Sequence, residues 1–185
     1  MAYTVSNMLP LGTLAPDFTL PDTVSGKTLS LSDIKSDKAT LIIFSCNHCP
    51  YVHFVNDEIV NIANDYQPKG VSIAIISVND IERYPQDAPE EMTKFAAESG
   101  YTFPYLYDAS QEIGKAYDAA CTPDFYVFDG DLKLAYRGQM DDARPSLSMP
   151  VTGKDLRAAL DAVLTGNPVN EKQRPSGGCG IKWNN

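Results

Sequence analysis

Two cysteines separated by two residues, Cys46 and Cys49, are the side chains of this sequence best suited to chemistry. They follow the apolar run 41–45 directly and open an apolar-periodic helical pattern, which predicts the sulfurs at a strand end and a helix N-terminus. Unpaired N–H groups and the helix dipole at such a terminus favour negative charge and lower the pKa of a thiol. The pattern predicts thiol-disulfide exchange, with an exposed Cys46 as the attacking thiol and Cys49 as the resolving thiol.

His48 lies between the two sulfurs in sequence. An imidazolium there would stabilise the Cys46 thiolate and raise the reduction potential of the pair, so we interpret His48 as a residue that tunes the thiol pKa. A chance CxxC or one half of a zinc site is the alternative. Zinc needs two more ligands, and the candidates form neither a second CxxC nor a His pair at ligand spacing: His53, Cys121 and Cys179. We therefore expect no metal, and no nucleotide or phosphate motif indicates an organic cofactor.

Apolar β-favouring runs alternate with helical patterns around this motif, which predicts an α/β fold. Strands are expected at 40–45, 71–78 and 103–107, and helices at 49–66, 89–99 and 110–117. The run 71–78 lacks strict alternation, as expected for a strand covered by helices on both faces of a mixed or parallel sheet.

The pattern changes after Pro123. Two short runs, 124–128 and 133–137, flank an Asp-Gly turn and predict a β-hairpin. A last helix is expected to begin near Thr152, with Asp155 completing an acidic variant of the capping box, and to end near residue 165.

Length and charge restrict the remaining possibilities. The 185 residues fit one domain, which we place at 1–168 with a C-terminal tail at 169–185 that is not a separate domain. A net charge of −9 argues against nucleic acid or an anionic membrane as partner. The first 18 residues lack a basic region and an unbroken apolar run, so we expect a cytoplasmic protein. In that reducing compartment the four cysteines are not expected to form permanent bridges.

Several motifs in order carry a family resemblance: the segment 15–21 (APDFTLP), the segment 46–52 (CNHCPYV), the segment 103–108 (FPYLYD), and Thr122-Pro123 before 125–129. Together they resemble the thioredoxin superfamily, in the redoxin branch described as AhpC/TSA or peroxiredoxin-like. The resemblance implies a thioredoxin-like three-layer sandwich with a central mixed sheet, an N-terminal redoxin extension and the C-terminal tail. It also implies that Pro123 is a cis-proline facing the CxxC and that the Thr122 backbone pairs with a substrate peptide.

The sequence departs from peroxiredoxins where those proteins bind peroxide. Their Pro-x-x-x-Thr/Ser-x-x-Cys pattern has Ala39 and Ile43 before Cys46 here, and their activating arginine is missing. An alkyl side chain at residue 43 cannot donate a hydrogen bond to peroxide, so a thiol-dependent peroxidase with antioxidant activity is the alternative function. Arg137 is interpreted as a solvated arginine at a strand end.

Two further cysteines are possible accessory thiols. Cys121, two residues before Pro123, is expected near the CxxC as a third thiol or, preferably, as a small buried apolar residue. Cys179 lies among glycines and is expected on a mobile arm that swings towards Cys46, Cys49 or another chain, unless the tail merely docks through Trp183. The expected partner is a disulfide- or thiol-bearing protein or a small thiol, and the upstream reductant is left open.

Overall fold

The structure of this chain is a computed structural model that describes residues 3–184. Helices and strands alternate through its centre as the sequence predicts. The strands within the described range are β1 Tyr3–Val5, β2 Thr19–Pro21, β3 Thr28–Ser30, β4 Ala39–Phe44, β5 Val71–Ser77, β6 Tyr105–Tyr107, β7 Cys121–Thr122, β8 Asp124–Asp129, β9 Leu134–Gly138 and β10 Gly177–Gly180. The α-helices are α1 Leu31–Ile34, α2 Pro50–Tyr66, α3 Pro89–Ser99, α4 Glu112–Ala116 and α5 Lys154–Leu164.

A five-stranded mixed sheet in the order β6-β5-β4-β8-β9 forms the centre of the molecule. Strands β4, β5 and β6 are parallel, whereas β8 pairs antiparallel with β4 and β9 antiparallel with β8. Every residue of β4 is buried, because this middle strand is covered on both faces. The predicted mixed sheet and the predicted hairpin of β8 and β9 are confirmed.

The two faces of β4 enter two separate cores. Leu41 and Ile43 pack with apolar residues of α2, α3 and α5, whereas Ile42 and Phe44 pack with residues of α1 and with Tyr117 at the end of α4. Successive strand residues point to opposite faces, so one buried strand supplies both layers. The expected three-layer thioredoxin-like sandwich is confirmed. No helix among residues 3–184 is both long and apolar enough to cross a bilayer.

A second, smaller sheet of order β1-β10-β7 joins the two ends of the described chain to the strand before Pro123. All its pairings are antiparallel, with Cys179 opposite both Tyr3 and Thr122. The expected mobile C-terminal arm is therefore wrong, because residues 177–180 form the middle strand of a sheet. The domain boundary at residue 168 stays a prediction.

Helix α5 begins differently from the prediction. Its N-cap is Gly153 in a left-handed conformation, with φ of 66° and no side-chain cap. Asp141 Oδ2 instead accepts hydrogen bonds from the backbone N–H groups of Thr152 and Gly153, at 2.7 and 2.8 Å. Asp155 accepts from Gln139 rather than closing a capping box, so the predicted Thr152–Asp155 box is wrong.

Arg137 is fully buried, which corrects its interpretation as a solvated strand end. Its guanidinium donates to Asp124 Oδ2 at 3.0 Å and to the Asp118 carbonyl at 2.7 Å, and it lies over the Tyr126 ring at 4.5 Å. Ser6, next to β1, donates to the same Asp124 oxygen. A buried arginine is tolerated here because its charge is paired and hydrogen-bonded.

Replacing Arg137 by Leu should lower the free energy of unfolding by about 3–5 kcal/mol, because the variant leaves the Asp124 carboxyl group buried without its partner. Urea denaturation at neutral pH measures the loss. Lys94→Leu is the control, since Lys94 forms an exposed pair with Glu91 and its loss should leave the unfolding midpoint unchanged. Equal midpoints for the two variants would contradict the structural role of the buried pair.

Candidate active site: three thiols beneath the C-terminal strand

The CxxC lies where the sequence places it, between the end of β4 and the start of α2. The N–H of Ser45 donates to the Ile76 carbonyl, which extends the strand pairing to the residue before Cys46. Cys49 is the N-cap residue of α2, and Pro50 occupies the first helical position, where its fixed φ suits a helix start. Both sulfurs are thereby fixed near a helix N-terminus.

Thr122 faces the two sulfurs from β7. Its hydroxyl oxygen lies 3.4 Å from the Cys46 sulfur, and its carbonyl oxygen lies 3.3 Å from the Cys49 sulfur, from which it can accept a hydrogen bond. The Thr122–Pro123 peptide bond is cis. The cis bond and the position of Thr122 opposite the CxxC agree with the expectation, whereas the pairing of the Thr122 backbone with a substrate peptide stays a prediction.

Cys179 reaches the same site on β10 and packs in one buried cluster with Cys46, Cys49 and Val52. Its thiol and its backbone N–H both lower the pKa of Cys49. The glycines beside it serve close packing rather than mobility, because a Cβ at Gly178 would lie 2.0 Å from the Thr122 carbonyl oxygen. The expected proximity of Cys179 to the CxxC is confirmed, although a paired strand brings it there.

Neither sulfur of the CxxC is open to solvent. Cys46 and Cys49 are both 0% exposed, and Cys179 is 3% exposed. The expectation of an exposed Cys46 is wrong for this closed form, since β10 covers the edge of β7 and packs its thiol against the pair.

The electrostatics of the cluster centre on Cys49. Hydrogen bonding by the Cys46 thiol, together with donors from Cys179 and the Val52 N–H, lowers the pKa of Cys49 to about 5 despite its burial. The Cys46 pKa is raised, first because this thiol donates to Cys49, then by burial and the charge of Asp87. Burial and the Cys49 contact raise the Cys179 pKa to about 12. Within this pair the surrounding donors favour the charged form of Cys49 and disfavour that of Cys46, and the assignment of Cys46 as the attacking thiol stays a prediction.

His48 pairs with a carboxylate that the sequence analysis missed. Its Nδ1 lies 2.5 Å from Asp87 Oδ2, and its ring stacks on Tyr84 at 5.3 Å. Asp87 also accepts hydrogen bonds from the backbone N–H groups of Asn47 and His48 and from the Asn79 amide. These bonds outweigh burial and lower the Asp87 pKa. Asp87 lies 39 residues after His48 in the sequence, and no local pattern indicates the contact.

Cys46, His48 and Asp87 form the one group among the described residues whose potential metal-ligand atoms lie within 4.8 Å of one another. Asp87 is already occupied by four hydrogen bonds, which fits a carboxylate that positions the loop. The expected absence of a metal stays a prediction. Cys121 is fully buried, burial raises its pKa, and it lies outside the thiol cluster, which favours the apolar interpretation.

Comparison with known proteins places the fold in a family. The AhpC/TSA family model matches residues 11–137, more than half of the chain. The chain belongs to the AhpC/TSA family.

Three proteins that are similar to this AhpC/TSA protein differ in name and in sequence identity to it. A solved structure of an uncharacterized conserved protein from Geobacillus kaustophilus is 60% identical, with a TM-score of 0.98 over 100% of this chain and 97% of that one. Thiol-disulfide oxidoreductase ResA of Geobacillus kaustophilus is 28% identical over 75% of each chain. A putative peroxiredoxin of Mycobacterium tuberculosis is 28% identical over 63% of this chain and 68% of its own length.

The reduced protein should show one thiolate that titrates near the Cys49 pKa of about 5, visible as a rise in ultraviolet absorbance. Cys49→Ser should abolish this transition, because the charge sits on that sulfur. Cys121→Ser is the matched control and should retain it. A transition that survives in Cys49→Ser and disappears in Cys46→Ser would assign the thiolate to Cys46 instead.

Asp87 should contribute to acid sensitivity. Its pKa is lower in the folded protein than in the unfolded chain, so its stabilisation is present above the unfolded pKa of about 3.9 and is lost as pH falls through the folded value. Asp87→Asn should therefore flatten the decline of unfolding free energy below about pH 4, measured by urea denaturation across pH. Exposed Asp57→Asn is the control, and an equally steep decline in both variants would refute the assignment.

Proposed function

We propose that this AhpC/TSA protein is a thiol-disulfide oxidoreductase in which Cys46 and Cys49 alternate between a dithiol and a disulfide. The observation that carries the proposal is the packing of the two thiols in one cluster at the start of α2, with Thr122 facing both sulfurs. Relatives named thiol-disulfide oxidoreductase support the same chemistry. That the CxxC of this AhpC/TSA protein is redox-active is part of the proposal.

The attack begins with a proton moving along the contact between the two sulfurs. Cys46 donates to the Cys49 thiolate, so transfer of this proton leaves a Cys46 thiolate and a Cys49 thiol. The Thr122 carbonyl, 3.3 Å from the Cys49 sulfur, accepts the new S–H. Cys46 thereby becomes nucleophilic without an external base.

Two exchange steps then complete the reaction. The Cys46 thiolate attacks one sulfur of a substrate disulfide and expels the other as a thiolate, which leaves a mixed disulfide on Cys46. That leaving thiolate takes up the Cys49 proton directly or through water. The Cys49 thiolate next attacks the Cys46 sulfur and expels the second substrate sulfur as a thiolate, which takes a proton from water. Two electrons pass to the substrate, and a Cys46–Cys49 disulfide remains.

His48 and Asp87 act on the charge near Cys46. The contact between His48 and Asp87 holds the imidazole beside the CxxC. We propose that the positively charged form of His48 lowers the pKa of Cys46. Asp87 opposes this effect at Cys46, since its negative charge raises the pKa of that thiol. The two together set how readily Cys46 gives up its proton.

The substrate is a disulfide- or thiol-bearing protein or a small thiol. A small pocket lies beside the cis-proline, with the apolar residues Tyr51, Phe54 and Met140 and the polar residues Gln139 and Arg144 in its lining. Because both sulfurs are buried, the β10 cover has to open before a protein substrate reaches Cys46. The cytoplasmic location and the absence of nucleic-acid and membrane partners stay predictions.

Peroxide reduction is the second candidate, favoured by relatives named putative peroxiredoxin. Ile43 and Ala39 are buried in β4 and offer no hydrogen-bond donor. Arg137 is bound to Asp124. Two polar side chains that would stabilise O–O cleavage are therefore unavailable at these positions, which makes disulfide exchange the better-supported reaction.

Cys46→Ser should reduce dithiothreitol-dependent insulin reduction at least about 100-fold, because it removes the attacking thiol. Cys49→Ser should instead accumulate a mixed disulfide with oxidised glutathione, detected by intact mass. Cys121→Ser is the matched control and should turn over normally. Activity retained in Cys46→Ser would refute this assignment, and thiol-dependent peroxide consumption without insulin reduction would favour the peroxidase.

A further inference from the structure

Three thiols of the chain lie in one buried cluster: Cys46, Cys49 and Cys179. Cys179 lies opposite Thr122 in the strand pairing, and Thr122 contacts both sulfurs of the CxxC. A thiol-disulfide exchange needs a third sulfur that can reach one sulfur of the disulfide. The cluster brings such a sulfur to the CxxC within one chain.

Strand β10 holds Cys179 firmly in this place. Before it, Ser176 donates to the Gly138 carbonyl at 2.6 Å, and after it, the Lys182 N–H donates to Asn79 Oδ1 at 2.9 Å. The close approach of Gly178 to the Thr122 carbonyl leaves no room for a side chain. A thiol that only filled space would not need a strand fitted so tightly against the residue that faces the CxxC.

Resting on the proposed exchange at Cys46 and Cys49, we propose that Cys179 is a third redox-active thiol that receives the disulfide, so that the oxidised protein rests with a Cys49–Cys179 bond. The Cys179 thiolate attacks the Cys49 sulfur of the Cys46–Cys49 disulfide. The new S–S bond forms as the old one breaks, and Cys46 leaves as a thiolate. The Cys179 proton passes to Cys46, and no external oxidant is consumed in this step.

Oxidation of the CxxC itself prepares Cys179 for the attack. In the reduced cluster, burial raises the Cys179 pKa most, and the contact with Cys49 and the charge of that sulfur raise it further. A Cys46–Cys49 disulfide has no thiolate, so the two contributions of Cys49 disappear while that of burial remains. The neighbouring Lys182 ammonium lowers the pKa of the same thiol. Cys179 therefore becomes more acidic at the stage at which it is required to react.

The proposal separates Cys179 from the other spare thiol. Cys121 lies opposite Gly180 in the register, outside the cluster, whereas Cys179 lies opposite Thr122 and inside it. The transfer returns Cys46 to a thiol and bonds the covering strand covalently to the start of α2. An oxidised protein would thus be closed, with its disulfide between the tail and the helix.

Disulfide mapping of the full-length protein tests this transfer. The protein is equilibrated in a glutathione buffer, quenched in acid, unfolded in denaturant so that buried free thiols are alkylated, and digested with trypsin. Cys46 and Cys49 share one tryptic peptide, since no Lys or Arg lies between Lys38 and Lys69. A Cys49–Cys179 bond therefore joins two peptides, and fragmentation assigns the sulfur. We expect this cross-link to be the main oxidised form, with Cys46 alkylated.

Two variants distinguish the possible failures. Cys179→Ser should retain a Cys46–Cys49 disulfide, while Gly178→Ala, which keeps the thiol but displaces the strand, should reduce the cross-link and increase alkylation of native Cys46 by at least about tenfold. Cys121→Ser should behave as the unaltered protein. A normal Cys46–Cys49 disulfide with Cys179 always alkylated would overturn this inference alone. No disulfide at Cys46 in any sample would overturn the proposed function as well.

Discussion

The site depends on one negative charge held among three buried sulfurs. Burial alone would raise the pKa of every thiol in the cluster, so a thiolate persists only because S–H and N–H donors converge on Cys49. Helix α2 supplies the position of that sulfur, and β7 and β10 supply Thr122 and Cys179. Strands β7 and β10 of the second sheet therefore each place a donor or an acceptor beside the CxxC.

The strand that covers the site therefore also takes part in its chemistry. Strand β10 shields the CxxC from solvent and also provides two of the hydrogen bonds that make Cys49 acidic. When the strand lifts, the pair gains access to substrate and loses those donors, which raises the pKa of Cys49. In the proposed mechanism, access to the CxxC and the loss of these donors are therefore linked.

Much of the fold was predictable because its signals are local. The strand before Cys46, helix α2 and the β8–β9 hairpin each follow from periodicity or turn residues over short stretches. The details that failed depend on distant partners. Gly153 replaces the Thr152 cap because Asp141 satisfies the free N–H groups, and Arg137 is buried because Asp124 pairs with it. Asp87 contacts His48 across 39 residues of sequence, and no local pattern predicts this contact.

The lateness of β10 in the chain has a consequence for how the protein is made. Cys179 is translated 130 residues after Cys49, as the difference of their positions shows. At typical synthesis rates this interval is on the order of ten seconds, during which the nascent chain has no lid for its thiols. During that interval, an oxidant or another cysteine can reach the uncovered Cys46 and Cys49. The CxxC is therefore synthesised well before the strand that covers it.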